Sequence, residues 1–148
     1  MSKLKISVKR LSDGVKMPFY ATSGSAGLDL FAALSEPVVL KKGEIRLIPT
    51  GIAISIPTPE YGAFVYARSG LASKYGICLA NSVGVIDSDY RGEIKCALIN
   101  LGNDDFVVQP GERIAQMVFM PVAQVDLCEV ECLDDTERGA GGFGSTGI

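Results

Sequence analysis

The sequence contains no histidine, and that absence excludes more than any other count. Ser-His-Asp and Cys-His nucleophiles are ruled out, and so is any histidine-ligated metal. A catalytic base in this chain has to be Asp, Glu, Tyr, Lys or Cys, and carboxylate chemistry heads that list. Positive charge is also in short supply. Fourteen Lys and Arg stand against 17 Asp and Glu, for a net charge of −3. General nucleic-acid binding needs a basic face to neutralise phosphates, so no nucleic-acid partner is expected. A small phosphorylated ligand held by a few placed arginines stays open.

Long apolar runs are missing too. None approaches the roughly 20 residues that a membrane-spanning helix needs, so no membrane partner is expected. Met1-Ser2-Lys3-Leu4-Lys5 leads into no signal-peptide core, which makes a cytoplasmic location the expectation. Cysteine is sparse: Cys78, Cys96, Cys128 and Cys132 show no disulfide-framework spacing. The Cys128/Cys132 pair has no histidine and no second pair to complete a zinc site, so reduced thiols are expected.

What is present describes one globular domain over residues 1–148. Hydrophobic residues make up 47% and charged residues 21% of the 148 residues, enough for a real core. Mean hydropathy is positive, a hint that apolar surface is buried between subunits. The body is expected over 1–133. Residues 134–148 form an arm, because the last eleven carry five glycines and cannot pack as a core strand.

Leu4, Ile6 and Val8 alternate with polar neighbours, the pattern of a half-buried strand. Similar extended runs recur at 26–32 (short enough for helix or strand, with its Gly and loop neighbours favouring strand), 37–40, 45–48, 51–56, 62–67, 96–99, 106–108, 112–120 and 122–130, with Gly, Pro and Asn-Asp turns between them. Ser69-Gly70-Leu71-Ala72-Ser73-Lys74-Tyr75-Gly76 is the one place for a short helical turn. Roughly ten short strands, about 8 to 14 residues apart, mean an all-β sandwich, jelly roll or barrel.

Asn81-Ser82-Val83-Gly84-Val85-Ile86-Asp87-Ser88-Asp89-Tyr90-Arg91-Gly92-Glu93-Ile94-Lys95 organises the rest. Asp87-Ser88-Asp89 has strong turn chemistry. Val83-Val85 and Glu93-Lys95 flank it with period-2 patterning, which predicts a β-hairpin. Such a hairpin offers backbone donors and acceptors, a carboxylate and an aromatic ring. That inventory suits a flat polar heterocycle with a water held beside it.

Five separated segments, taken together, are more specific than any one of them. Ala26-Gly27-Leu28-Asp29-Leu30, Ala67-Arg68-Ser69-Gly70-Leu71-Ala72, residues 81–93, Gly111-Glu112-Arg113-Ile114-Ala115-Gln116 and Arg138-Gly139-Ala140-Gly141-Gly142-Phe143-Gly144-Ser145-Thr146-Gly147 resemble motifs one to five of the trimeric dUTPases, in order. The resemblance implies a jelly-roll-like β-barrel (the β-clip arrangement) with a mobile C-terminal arm. It implies a homotrimer with active sites at subunit interfaces. The activity it implies is hydrolysis of dUTP to dUMP and pyrophosphate with Mg2+, which keeps uracil out of DNA and supplies dUMP for dTMP synthesis.

Residue by residue, Asp87 matches the family's water-activating aspartate, which a chain without histidine can use as its base. Tyr90 matches the tyrosine that packs on the deoxyribose; a ring against C2′ leaves no room for a hydroxyl. Asn81, Val85 and Ile86 match positions that read uracil, and Lys95 falls close to the ligand. Arg68, Ser69 and Gly70 match the phosphate-binding turn, although an Arg-Ser-Gly tripeptide read alone is an ordinary turn. Gln116 matches a glutamine on the phosphate side. Asp29 matches an aspartate near the metal's water shell; the Mg2+ itself is expected mainly on substrate phosphates, because it keeps several waters. In the arm, Arg138 is expected to clamp phosphate and Phe143 to stack on the base. Gly144, Ser145 and Thr146 are expected to offer donors to the γ-phosphate. No GxxxxGK[ST] is present, so the arm is not a Walker loop. In the related dCTP deaminases a glutamate lies on the strand after the central stretch, and Ala97 occupies that position here.

Overall fold

The computed structural model describes residues 4–144, and its secondary structure is almost entirely β. Twelve strands are formed among the described residues: β1 (Ser7–Arg10), β2 (Phe19–Tyr20), β3 (Leu28–Phe31), β4 (Val38–Leu40), β5 (Ile45–Pro49), β6 (Ile52–Ser55), β7 (Tyr61–Tyr66), β8 (Ile77–Leu79), β9 (Gly84–Ile86), β10 (Lys95–Asn100), β11 (Phe106–Val108) and β12 (Arg113–Pro121). One helix, α1 (Ser69–Tyr75), sits where the short helical turn was expected and ends at Gly76, which adopts φ 69. A left-handed residue there closes the helix at little cost because glycine has no Cβ.

The largest sheet has the order β2-β3-β12-β7-β9, and a second runs β5-β10-β8. Two-stranded pairs, β1-β6 and β4-β11, complete the jelly-roll-like architecture, and every pairing is antiparallel. Branched and long aliphatic side chains alternate along the strands and fill one core. Leu30, Leu40, Ile48, Ile52, Ile77, Leu98, Ile114 and Met117 are all buried within it. Each such side chain stabilises the fold by about 1.5–3 kcal/mol relative to exposure. Asn100 is the polar exception. Its amide donates to the carbonyls of Leu40 and Asp104 and its oxygen accepts from the Gly102 amide, which satisfies it without water.

Two expectations fail. The central stretch is not a paired hairpin. β9 pairs with β7, Val85 opposite Phe64, whereas β10 pairs with β5 and β8. The returning backbone is captured elsewhere: Ile94 donates to Ile52 O at 2.9 Å and accepts from the Thr50 hydroxyl at 2.6 Å. Residues 87–94 therefore bridge two sheets. The strand expected at 122–130 also does not form, since β12 ends at Pro121 and Val125, Leu127 and Val130 are exposed. Alternation without a neighbouring strand supplies no ladder hydrogen bonds.

Candidate active site

The break between β9 and β10 opens a cavity of about 450 Å³ lined by Asn81, Val85, Ile86, Asp87, Tyr90, Lys95 and Ala97, among others. β9 is the edge strand of its sheet, so one row of its N–H and C=O groups has no strand partner. A planar heterocycle with mixed donors and acceptors can take that place. The Asn81 side chain adds one donor group and one acceptor. Asp87 is exposed and Ile86 beside it is buried, so the chain anchors in the core just before the carboxylate reaches solvent. Lys95 lies 3.5 Å from Glu93 through Nζ and Oε2.

A second, smaller cleft of about 250 Å³ lies where β3, β7, β12 and α1 converge, lined by Asp29, Arg68, Ser69, Gly70, Arg113 and Gln116, among others. Asp29 is its organiser. One carboxylate oxygen meets Arg68 Nε at 3.2 Å, and the other accepts from Arg113 Nη1 at 3.1 Å. Arg68 also donates to the Arg113 carbonyl at 3.3 Å. Charge-assisted bonds of this kind hold both guanidinium groups on one carboxylate while leaving donors for an incoming anion. Gln116, opposite both Asp29 and Tyr66 in the ladder, donates to the Ala67 carbonyl and ties down the segment before Arg68.

The two openings share no lining residue. One holds a carboxylate, a ring and an open strand edge; the other holds paired arginines. The expected residues of motifs one, two and four thus meet in the second, and those of motif three in the first. Among the described residues, those of the arm line neither opening: Arg138 bonds the Gly141 carbonyl, and Phe143 is fully exposed. Ser145 and Thr146 lie outside the described residues.

Sequence reasoning passed over Arg113 and Glu93. Arg113 stood inside the fourth motif, but its link to Asp29 spans 84 positions. Glu93 accepts from the Gly51 amide at 3.0 Å, a contact between two distant turns. No local pattern signals either.

Among the described residues no group of three or more His, Cys, Asp or Glu side chains is placed to hold a metal ion. Asp29 has both oxygens engaged by arginines. It is therefore no open inner-sphere ligand, and Mg2+ ordinarily keeps several waters and is carried on substrate phosphates.

An open strand edge beside an exposed carboxylate, together with an arginine cleft, is the set of groups that a phosphorylated small molecule would need, and it is carried on an all-β fold. The dUTPase family model matches residues 13–147, and the chain belongs to that family. The deoxyuridine 5'-triphosphate nucleotidohydrolase of Desulfitobacterium hafniense (strain DSM 10664 / DCB-2) is 57% identical over 99% of this chain and 97% of its own length. The protein of the same name from Rickettsia bellii (strain OSU 85-389) is 54% identical over 100% and 99%. Among solved structures, the Staphylococcus bacteriophage 80alpha dUTPase with dUPNHPP superposes with a TM-score of 0.88 at 30% identity, covering 97% of this chain and 99% of that one. The dUTPase of phage phi11 of S. aureus, described with a structural Mg(II) ion, gives 0.78 at 26% identity, covering 88% and 99%.

Proposed function

We propose that the chain hydrolyses dUTP to dUMP and pyrophosphate by attack of an Asp87-activated water on the α-phosphorus. As a member of the dUTPase family it is a nucleotide hydrolase acting on dUTP. The observation that carries the mechanism is the position of Asp87, exposed at the mouth of the cavity that the open edge of β9 lines. Uracil takes the vacant backbone partners of Val85 and Ile86 and the Asn81 amide. The Tyr90 ring lies along the sugar and rejects a 2′-hydroxyl by clash. Ala97 lines the same cavity, so the position that carries glutamate in the deaminases offers no acid or base here.

Arg68, Ser69, Gly70 and Gln116 receive the phosphates, and Ser69 donates to the bridging oxygen as charge develops on the leaving group. Arg113 joins them through Asp29. Mg2+, when carried on the substrate phosphates, would neutralise part of their charge, with Asp29 reaching it through water. Arg138, Phe143, Gly144, Ser145 and Thr146 of the arm close over the base and γ-phosphate, exclude water and gate release.

The enzyme works as a homotrimer in which the nucleoside cavity of one subunit faces the arginine cleft of another. The separation of the two half-sites supports this assembly, as do the exposed Leu47, Val85, Val125, Leu127 and Leu133. The body spans 1–133 and the arm 134–148. The setting is the cytoplasmic nucleotide pool. Pyrophosphate release measured on dUTP, dCTP, dTTP and UTP with Mg2+ tests the reading. Release from dUTP alone is expected, and equal release from dCTP or dTTP contradicts the base assignment.

A further inference from the structure

The loop that carries Tyr90 is held by its own side chains and by a turn of another sheet. The Tyr90 amide donates to the Asp87 carbonyl at 3.2 Å. Arg91 Nη1 donates to the carbonyls of Ser88 at 2.7 Å and Tyr90 at 3.0 Å, which ties the bend shut. The Tyr90 hydroxyl then donates to the Glu93 carbonyl at 3.0 Å, so the ring folds back along its own loop.

That fold-back depends on residue 92. The Tyr90 ring lies so close to Gly92 that a Cβ built there would sit 2.5 Å from Cζ and 2.9 Å from Cε2. Gly92 does not have a positive φ, so its backbone suits other residues, and it is the ring's present position that a side chain there would displace. The far end of the loop is anchored by Glu93. Its Oε1 accepts from the Gly51 amide at 3.0 Å, and its Oε2 lies 3.5 Å from Lys95 Nζ. Ile94 is pinned to the same β5–β6 turn by Thr50 and Ile52.

We infer that Gly92 and Glu93 are positioning residues that set the plane of the Tyr90 ring, and through it the discrimination between deoxyribose and ribose. This inference rests on the reading of Tyr90 as the sugar-sensing ring. Neither residue touches the reacting atoms. Gly92 gives the ring somewhere to lie, and Glu93 holds the carbonyl that receives its hydroxyl. A side chain at 92 lifts the ring off the loop and changes the space beside the sugar, while Asp87, five residues earlier, keeps its own support from β9.

The test compares kcat/KM for dUTP and UTP in wild type, Gly92→Ala, Glu93→Ala, Glu93→Gln, Tyr90→Ala and the Tyr90→Ala/Gly92→Ala double variant. Gly92→Ala is expected to cut the preference for dUTP by about tenfold or more, toward the Tyr90→Ala value. The double variant is expected to match Tyr90→Ala, since Gly92 acts through that ring. Glu93→Ala is expected to lose preference likewise. Glu93→Gln retains most of it, because an amide oxygen still accepts from Gly51. A Gly92→Ala enzyme with wild-type preference, or a loss that adds fully to that of Tyr90→Ala, overturns the inference. If Gly92→Ala does not fold, the Glu93 pair decides: equal preference in Glu93→Ala and wild type overturns it. A wild type that turns over dUTP and UTP alike removes the parent reading of Tyr90, and this inference with it. That result is distinct from a discriminating wild type with an indifferent Gly92→Ala.

Discussion

Arg113 donates from Nη1 to Oδ2 of Asp29 across 3.1 Å, joining residues 84 positions apart. The bond places motif four's arginine beside motif two's, because Arg68 holds the other oxygen of the same carboxylate. Asp29 is largely buried, at 8% exposure, so its removal leaves two guanidinium groups without their shared partner.

Asp29→Ala is therefore expected to raise KM for dUTP by about tenfold to a hundredfold through misplaced phosphate donors. Affinity for dUMP, which lacks the β- and γ-phosphates, is expected to change little. Steady-state kinetics paired with dUMP titration check this. Equal weakening toward both nucleotides would mean that Asp29 supports the whole site rather than its phosphate end.

The separation of the half-sites gives a prediction about assembly. Asp87→Asn and Arg68→Ala damage different cavities. Each variant alone is expected to be nearly inactive. Unfolding and refolding an equal mixture should restore about a quarter of the sites, since each needs one intact partner of each kind. Activity that never exceeds the parents would place both residues in one chain's site.

Cys96 lies on β10 inside the core, at 1% exposure, and burial pushes its thiol up to about 12. The unfolded thiol ionises near roughly 8.5. Between these values the folded chain holds a proton that the unfolded chain has released. The contribution to stability is thus full below about pH 8.5 and declines as pH rises toward 12, by up to about 1.4 kcal/mol per pH unit. Denaturant melts from pH 8 to 10.5 are expected to show this slope, and Cys96→Ala should flatten it. An identical slope in both proteins would assign it to other groups.

Much of this was legible in the sequence, for identifiable reasons. Short apolar runs with Gly and Pro punctuation marked the strands that form β3, β5, β6, β7, β10, β11 and β12. Ser69-Gly70-Leu71 marked the helix. The chemical residues were visible because they cluster within short segments. Strand partners were not. Period-2 flanks around Asp87 show that strands exist, but not that Phe64 takes Val85 and Pro49 takes Lys95. The same limit hid Arg113 and Glu93, whose partners are distant in sequence. In the stretch after Pro121, Val125 and Leu127 alternate like a strand yet lie exposed in the single chain. Periodicity records that a face is apolar and is silent on what covers it.

The central claim is that Asp87 activates the attacking water. The most direct measurement is single-turnover pyrophosphate release from dUTP by wild type and Asp87→Asn at equal occupancy, with binding of a non-hydrolysable dUTP analogue as control. The account predicts a rate lower by about 10² to 10⁴ with near-normal analogue affinity, the range for a lost general base. Asparagine preserves the size and much of the hydrogen bonding, so the loss isolates the proton transfer. A variant that binds normally and releases pyrophosphate at the wild-type rate would contradict it and move the base to another residue.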